Sequence, residues 1–391
     1  MIDVKQAKAL ISLHSGRLSH TTRLISDASN HILASDIQAI CDIPSFDQSS
    51  MDGYAIRFED RSLALEIIGE MAAGARRPIE IHPAQAVRIF TGAPLPSGAD
   101  TVVMQEHIRI DKEKLIIVDS NLSHGMNVRA IGSEIKAGSV AMQQGDVLSA
   151  AASGFLAGLG ITEVDVYPMP AVSVILTGNE LVQPGESLKF GQVYESNSYA
   201  LKAALNLAGI TQVRILRVSD DLDQLANLLR KALEESDVVL LTGGVSVGDY
   251  DFVIRASEVC GLETIFHKVK QKPGKPLFFA KKDNKLVFGL PGNPASVLSC
   301  FYNYVLPALS ALSGRSNPVG QVTGVLAHNY TKISGLTYFL KGRYEDGRVS
   351  ALDAQESFRL SSFAKANCLI ILEEGHNSYQ EGEEVGVLLL P

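Results

Sequence analysis

Three turn motifs between Thr242 and Pro294 carry groups that suit an anionic ligand. They occupy residues 242–251, 272–276 and 289–294 and read TGGVSVGDYD, KPGKP and GLPGNP. Each motif directly follows or precedes a predicted β-strand. Together they supply glycine backbone, two carboxylates, two lysines next to prolines and the start of a helix. The window therefore predicts an anion pocket with a metal-binding edge.

The first motif brings the pair Gly243 and Gly244 to the end of an apolar strand. Glycine lets backbone N–H groups approach a ligand closely, which suits phosphate or another oxyanion. Ser246 adds a hydroxyl donor, and Asp249 and Asp251 add carboxylates. A glycine-rich turn can also serve a plain chain reversal, but the two aspartates favour a functional interpretation. The Gly-Lys-Ser/Thr ending of a Walker loop is absent from the chain.

The second motif adds positive charge to the same region. Lys268, Lys270 and Lys272 alternate along a predicted strand and would therefore share one face. Lys275 follows in the turn between two prolines. Lysines often protect an edge strand from aggregation, and that interpretation stays open. The prolines favour anion binding, because they fix the backbone that carries Lys275.

The third motif ends a strand and starts a long helix. Asn293 is predicted to cap this helix, and Pro294 suits its first position. Free N–H groups and the helix dipole attract anions at such a point. A well-capped helix without a ligand explains the motif equally well. Pro291 lies in the turn that leads to the cap.

The pattern of predicted elements divides the 391 residues into four domains. Residues 1–42 and 130–167 form a mixed, discontinuous domain, in which residues 2–34 read as helical and residues 130–167 return to pack on that helix. Residues 43–129 are β-rich. Residues 168–314 alternate strands and helices, which predicts a doubly wound α/β sheet that binds ligands beyond the carboxyl ends of its strands. Residues 315–391 contain strands only and predict a small β-barrel.

Composition limits the classes of function. The net charge of −8 argues against general nucleic-acid binding, which needs a broad basic surface. The four cysteines include no C-x-x-C pair, so a cysteine zinc site is not expected. The N-terminus lacks a secretion-signal pattern, and the most apolar stretch, at 147–161, is too short to span a bilayer. We expect a cytoplasmic protein without nucleic-acid or membrane partners.

Other candidate residues lie in separate turns. Glu180 follows the first strand of the α/β segment, and a solvated loop carboxylate is an equally good interpretation of it. Asp52 and Thr91 lie in turns of the β-rich segment that a core does not require. Either one can reach an oxyanion or a metal, and taken alone either one is a plain turn residue.

These motifs, in this order, resemble the MoeA family of molybdopterin molybdenumtransferases, which is related to the gephyrin E domain. The matching stretches are residues 44–47, 51–55, 91–94, 127–129, 177–181, 243–251, 272–276 and 289–294. The resemblance implies an elongated four-domain subunit with a molybdopterin-binding α/β domain and a β-rich lid domain. It also implies a homodimer that converts adenylylated molybdopterin and molybdate, with Mg²⁺, and releases AMP.

The resemblance implies roles for residues of several motifs. The implied catalytic residues are Asp52, Thr91, Glu180, Asp251, Lys272 and Lys275. The implied substrate-binding residues are Arg129, Gly243, Gly244, Ser246, Asp220, Pro291, Asn293, Pro294 and Ser361. The implied Mg²⁺ ligands are Glu180, Asp249 and Asp251. The lid domain of the partner subunit would complete the cleft, and a molybdopterin adenylyltransferase and molybdoenzyme maturation proteins are the expected partners.

Two positions depart from the family pattern. Asn179 stands where the family commonly has aspartate, and Glu134 likewise replaces an aspartate. The loss of one charge at Asn179 leaves a paralogue with altered oxyanion preference, such as tungstate, as an alternative. Adenylylation of molybdopterin and a non-catalytic scaffold role are two further alternatives. The β-rich segments argue against adenylylation. Four retained residues argue against a scaffold alone: Asp52, Glu180, Asp251 and Lys275.

Overall fold

The computed structural model describes residues 1–244 and 252–391, so the predicted site residues Ser246, Asp249 and Asp251 lie outside the described residues. The chain forms two compact units. The first comprises Met1–Thr21, Asn30–Ile32 and Val166–Pro391, and the second comprises Thr22–Ser29 and Leu33–Asp165. The division of the chain into four domains stays a prediction.

The N-terminal helix is shorter than the sequence pattern predicts. The first elements are α1 (Val4–His14), β1 (Thr21–Leu24), β2 (Ile32–Leu33) and β3 (Ile37–Gln38). The predicted helix over residues 2–34 is wrong beyond His14, because helical spacing of apolar residues stops there and Gly16 and the β-branched pair at 21–22 follow. The buried residues of α1 lie in the apolar core of the first unit, and the packing of residues 130–167 on this helix stays a prediction.

The second unit is built around a six-stranded sheet. The elements up to residue 167 are β4 (Gln48–Ser49), β5 (Gly53–Ile56), β6 (Leu65–Met71), β7 (Gln85–Ile89), β8 (Thr101–Met104), β9 (Ile108–Asp111), β10 (Lys114–Ile117), β11 (Val128–Arg129), β12 (Val140–Met142), α2 (Ala150–Gly158) and β13 (Glu163–Tyr167). The strand order is β8-β5-β7-β6-β10-β9. Successive residues of β5 alternate between two apolar clusters, because strand side chains alternate between faces.

The α/β segment of the first unit has helices on both faces of its sheet. Its elements are β14 (Val172–Thr177), β15 (Leu181–Val182), β16 (Val193–Tyr194), α3 (Asn197–Leu207), β17 (Val213–Val218), α4 (Leu222–Glu235), β18 (Val238–Thr242), α5 (Phe252–Val259), β19 (Glu263–His267), β20 (Gln271–Lys272), β21 (Phe278–Lys282), β22 (Lys285–Leu290), α6 (Pro294–Cys300) and α7 (Leu306–Leu312). The strand order is β17-β14-β18-β22-β21-β19. The first four strands are parallel, and the last two are antiparallel.

The predicted doubly wound sheet is confirmed, with an antiparallel edge that the pattern did not predict. Helices α3, α6 and α7 contribute to one apolar cluster against the sheet, and α4 and α5 contribute to another. Because β14, β18 and β22 are parallel, their carboxyl ends lie at one edge. The turns that follow these strands are therefore brought together, as the sequence predicts.

Two predictions about this segment need correction. Lys268, Lys270 and Lys272 do not share one strand, because β19 ends at His267 and Lys268 has a φ of +71°. The predicted helix 294–312 is interrupted by a π-helical turn, Phe301–Val305, between α6 and α7.

The helical run Pro294–Leu312 is also the one run in the described part of the chain that is long and apolar enough to cross a membrane. Of its most apolar 18 residues, 78% are buried inside the protein. Because a core helix needs the same composition, this run is weak evidence for a membrane span.

The C-terminal strands close into a five-stranded barrel, which confirms the predicted β-barrel. The elements are β23 (Gln321–Leu326), β24 (Tyr330–Thr331), β25 (Thr337–Glu345), β26 (Arg348–Ala351), α8 (Leu360–Phe363), β27 (Cys368–Leu372), β28 (Ser378–Tyr379) and β29 (Glu384–Leu389). The order β25-β26-β23-β29-β27 closes through the pairing of β25 with β27. The short strand β20 pairs in parallel with β25 and so fixes Lys272 beside the barrel.

Candidate functional site

A cavity of about 560 Å³ lies where the carboxyl edge of the α/β sheet meets the barrel. Six residues that the sequence singled out line it: Gly243, Gly244, Lys272, Lys275, Pro291 and Asn293. The sequence interpretation missed four polar lining residues: Gln271, Ser296, Gln355 and Ser357. The three turn motifs therefore contribute to one cavity, as far as the described residues show.

Backbone conformation favours glycine at both positions of the first turn, and space also requires it at Gly243. Gly243 and Gly244 have φ values of +84° and +64°. A Cβ atom on Gly243 would lie 2.9 Å from both the carbonyl oxygen and the Oγ1 of Thr177. Larger residues are excluded at Gly243, because the turns after β14 and β18 are in contact. Backbone N–H groups of this turn can therefore approach a ligand closely.

Lys272 and Lys275 supply positive charge beside the cavity. Both side chains are exposed, and neither forms an ion pair within the part of the chain that the structure describes. The Lys272 Nζ lies 5.1 Å from the centroid of the Tyr338 ring, which is within cation–π range. Two lysines without carboxylate partners suit a ligand that carries negative charge.

The Asn293 side chain does not cap the helix that follows it, contrary to the prediction. Asn293 has the extended backbone of an N-cap residue, but its side chain makes no capping hydrogen bond. Its Nδ2 donates instead to the Ser357 Oγ at 2.8 Å, and the Ala295 N–H donates to the Ser357 carbonyl at 3.0 Å. Pro294 begins the helix as predicted. The loop around Ser357 thus closes on the helix start.

A buried lysine holds this barrel loop, residues 353–359, in place. Lys341 is 3% exposed, and its Nζ donates to the carbonyls of Ala354, Glu356 and Arg359 at 2.6, 3.3 and 3.0 Å. Burial lowers the pKa of Lys341, and the nearby Glu356 carboxylate opposes this shift. The Gln355 side chain bonds to both the N–H and the carbonyl of Lys341. The wall that carries Ser357 is therefore fixed from inside the barrel.

Glu180 follows β14 and Asp220 follows β17, and neither lines the cavity. Glu180 is exposed, and a Cβ atom on Gly178 would lie 2.8 Å from its Oε2. Asn179 and Asp220 bond to each other, each backbone N–H donating to the other side chain at 3.4 and 3.3 Å. Residues 1–244 and 252–391 contain no group of three or more metal-ligand side chains. The predicted set of Glu180, Asp249 and Asp251 falls largely outside these residues and stays a prediction.

In the second unit, Asp52 and Thr91 form a local pair. The backbone N–H and the hydroxyl of Thr91 each donate to Asp52 Oδ1 at 2.8 Å. These hydrogen bonds hold the pKa of Asp52 below its usual value of 3.8, and the positive charge of Arg88 adds a smaller effect.

Arg129 on β11 and Ser361 on α8 are both exposed, and Ser361 does not line the cavity.

Comparison with known proteins fixes the family. Residues 2–160 match the MoeA N-terminal region (domain I and II), residues 173–311 match a probable molybdopterin binding domain, and residues 323–390 match the MoeA C-terminal region (domain IV). The chain is 36% identical over 372 residues to the molybdopterin molybdenumtransferase of Haemophilus influenzae, covering 93% of this chain and 92% of that protein. The chain belongs to the molybdopterin molybdenumtransferase family.

Other relatives give the same assignment. The molybdopterin molybdenumtransferase of Staphylococcus aureus strain Mu50 is 33% identical over 401 residues, covering 99% of this chain and 95% of that protein. Two crystal structures of the molybdopterin biosynthesis protein MoeA from Pyrococcus horikoshii match all of this chain. The match covers 99% of the MoeA chain in the first structure and 100% in the second. Their TM-scores are 0.85 and 0.80, at 31% and 29% identity. The multidomain fold is therefore that of the MoeA family.

The Asp52–Thr91 pair predicts a shift that NMR can measure. The substitution Thr91→Val removes the hydroxyl donor and keeps the backbone donor, so we expect the pKa of Asp52 to rise toward 3.8. Titration of the Asp52 carboxyl carbon measures this pKa. Thr22→Val is a matched control, because the Thr22 hydroxyl donates to Asp165 instead. An unchanged Asp52 pKa in Thr91→Val would contradict the assignment.

The same hydrogen bonds determine how the contribution of Asp52 to stability changes with pH. Because the pKa of Asp52 is lowered in the folded state, its contribution to stability is present above about pH 3.8. This contribution is lost as the pH falls through the lowered value. Asp52 is therefore ionised across the neutral range, and its titration does not shape an activity profile there.

Proposed function

We propose that this chain inserts molybdenum from molybdate into adenylylated molybdopterin, with release of AMP, in the cavity beside Lys272 and Lys275. The observation that carries the proposal is the meeting of the three turn motifs around two lysines that form no ion pair among the described residues. Support comes from full-length relatives that are named molybdopterin molybdenumtransferases.

Charge explains why these groups suit the reaction. Molybdate is a dianion and the adenylylated substrate carries phosphates, so their approach in a common site is opposed by Coulomb repulsion. Lys272 and Lys275 offset this repulsion as point charges. The Gly243 and Ala295 N–H groups already donate to the carbonyls of Leu290 and Ser357, so the N–H groups of Gly244 and Ser296 are the ones proposed to donate to oxyanions, without adding charge of their own. These groups bind and orient both substrates, which converts their encounter into a reaction between held groups.

We propose that Glu180, with Asp249 and Asp251, holds Mg²⁺ beside this cavity. Carboxylate oxygens are the ligand type that Mg²⁺ prefers, and Glu180 offers an exposed carboxylate at the sheet edge. The ion would neutralise charge on the phosphates of the substrate. Asp220 is tied to Asn179, which fixes the neighbouring rim of the sheet.

We also propose a cytoplasmic homodimer in which Asp52, Thr91 and Arg129 reach the cleft from the partner subunit. The low pKa of Asp52 supports a carboxylate that is ionised at neutral pH. Molybdopterin adenylyltransferase and molybdoenzyme maturation proteins are the proposed partner proteins. A scaffold role or a paralogue with tungstate preference is not favoured, because the full-length relatives are transferases.

An insertion assay on the purified protein tests this function. We expect wild type to release AMP from adenylylated molybdopterin only when both molybdate and Mg²⁺ are present. Asn179→Asp is the informative variant, because it restores the charge that the family commonly has at this rim and keeps an oxygen for the Asp220 N–H. We expect this variant to stay active and to need less Mg²⁺. No activity in either protein would contradict the transferase proposal.

A further inference from the structure

We propose that Gln271, Tyr304 and Cys300 form a buried support that positions the lysine turn, residues 272–276, for anion binding. None of the three is proposed to act on the reacting atoms, so they are positioning residues. This inference rests on the proposed function, because it explains how Lys272 and Lys275 are held at the cavity.

The Gln271 side chain lies beneath the turn and uses both ends of its amide. Gln271 is 1% exposed and directly precedes Lys272. Its Nε2 donates to the Gly274 carbonyl at 3.0 Å and to the Cys300 Sγ at 3.5 Å. Its Oε1 accepts a hydrogen bond from the Tyr304 hydroxyl. The amide orientation is set by these partners, because a carbonyl accepts and a phenol donates.

Gly274 lies directly on this support. Its φ is +86°, and a Cβ atom there would lie 2.5 Å from the Cys300 Sγ and 2.9 Å from the Gln271 Nε2. The middle of the turn therefore has no space to move inward. Burial raises the pKa of Cys300 to about 12, so this thiol stays neutral and serves contact rather than nucleophilic chemistry.

The π-helical turn sets the position of Tyr304. Tyr304 is 1% exposed and lies in the π-helical segment Phe301–Val305, which interrupts the helix that begins at Pro294. Such single-turn interruptions occur frequently at functional sites. Ser296, on the first turn of the same helix, lines the cavity. One helical run therefore supplies both a cavity wall and the support of the lysine turn.

The polar character of the support favours positioning over packing alone. A buried amide and hydroxyl cost free energy unless they are paired, and apolar side chains would fill the same space without that cost. Paired polar groups instead fix one geometry. The side chains of Lys272 and Lys275 above the support are exposed, and the Lys272 Nζ also lies over the Tyr338 ring.

The experiment compares Tyr304→Phe with Tyr302→Phe. Tyr304→Phe removes only the hydroxyl that pairs with Gln271. Tyr302 lies in the same π-helical segment, but its ring packs on Phe301 and Phe363. We expect Tyr304→Phe to raise the Kd for molybdate, measured by calorimetry, and the KM about tenfold, with a smaller change in kcat. Tyr302→Phe should match wild type in both.

Hydrogen exchange of the peptide that covers residues 270–276 separates this inference from the proposed function. We expect faster exchange in Tyr304→Phe than in wild type and Tyr302→Phe, whether or not molybdate binds. Unchanged exchange and unchanged molybdate affinity in Tyr304→Phe would overturn the positioning role, even if wild type is an active transferase. Wild type that neither binds molybdate nor releases AMP would overturn the proposed function, while altered exchange would still support the positioning role.

Discussion

The substitution Lys275→Ala is expected to lower kcat/KM for molybdenum insertion roughly 100-fold. Lys275 is exposed beside the cavity. It lies on a turn in which the Gly274 carbonyl accepts a hydrogen bond from the buried Gln271 side chain. Lys275 forms no ion pair with a carboxylate in the described part of the chain, so its charge can act on the substrates. Removing it leaves two anionic substrates to approach with one lysine fewer.

The size of this loss depends on charge, which gives two controls. Lys275→Arg keeps the charge and should retain most of the activity. Lys281→Ala removes a lysine that is paired with Glu263 at 3.2 Å on the same unit, and should leave AMP release unchanged. Molybdate-dependent AMP release measures all three variants. An effect of Lys275→Ala no larger than that of Lys281→Ala would exclude Lys275 from the site.

The substitution Lys341→Met is expected to destabilise the protein by about 3 kcal/mol. The Nζ of Lys341 satisfies three carbonyls of the loop at residues 353–359, and methionine fills similar space without a donor. These carbonyls would then lose a charged donor, whose hydrogen bonds contribute more than the average one, and the Ser362 hydroxyl would still donate to the carbonyls of Ala354 and Arg359. The loop that presents Ser357 to Asn293 should loosen first.

Urea unfolding measures this loss as a shift of the midpoint at a constant slope. Lys365→Met is a suitable control, because Lys365 is exposed next to α8, and we expect a change within about 0.5 kcal/mol. Hydrogen exchange should be faster in residues 353–359 of Lys341→Met. Equal stability of the two variants would show that Lys341 does not hold the loop.

Local pattern was sufficient to predict the α/β segment. The pattern predicts strands over residues 172–177, 213–218 and 238–242 and a helix over residues 252–259, and β14, β17, β18 and α5 have these bounds. The meeting of three turns followed from the rule for parallel strands. The antiparallel edge of β21 and β19 was not predicted, because strand direction depends on pairing partners that are distant in sequence.

Site residues that depend on long-range contacts were missed for the same reason. In the sequence, Lys341 has the pattern of an ordinary strand lysine. Its role in holding the loop depends on hydrogen bonds to carbonyls 13 to 18 residues away. Asn293 matches an N-cap pattern, but its side chain donates to the hydroxyl of Ser357, which lies 64 residues away in sequence. The positive φ of Lys268, which ends the alternation of lysines, has no signal in local sequence.

A crystal structure with molybdate, AMP and Mg²⁺ tests the central claim most directly. We predict that the oxyanion lies in the cavity within hydrogen-bond distance of Lys275 or Lys272, beside the turns at Gly243 and Asn293. Mg²⁺ should contact the Glu180 carboxylate. Molybdate bound at another place, with the cavity at these lysines free of anion, would contradict the account.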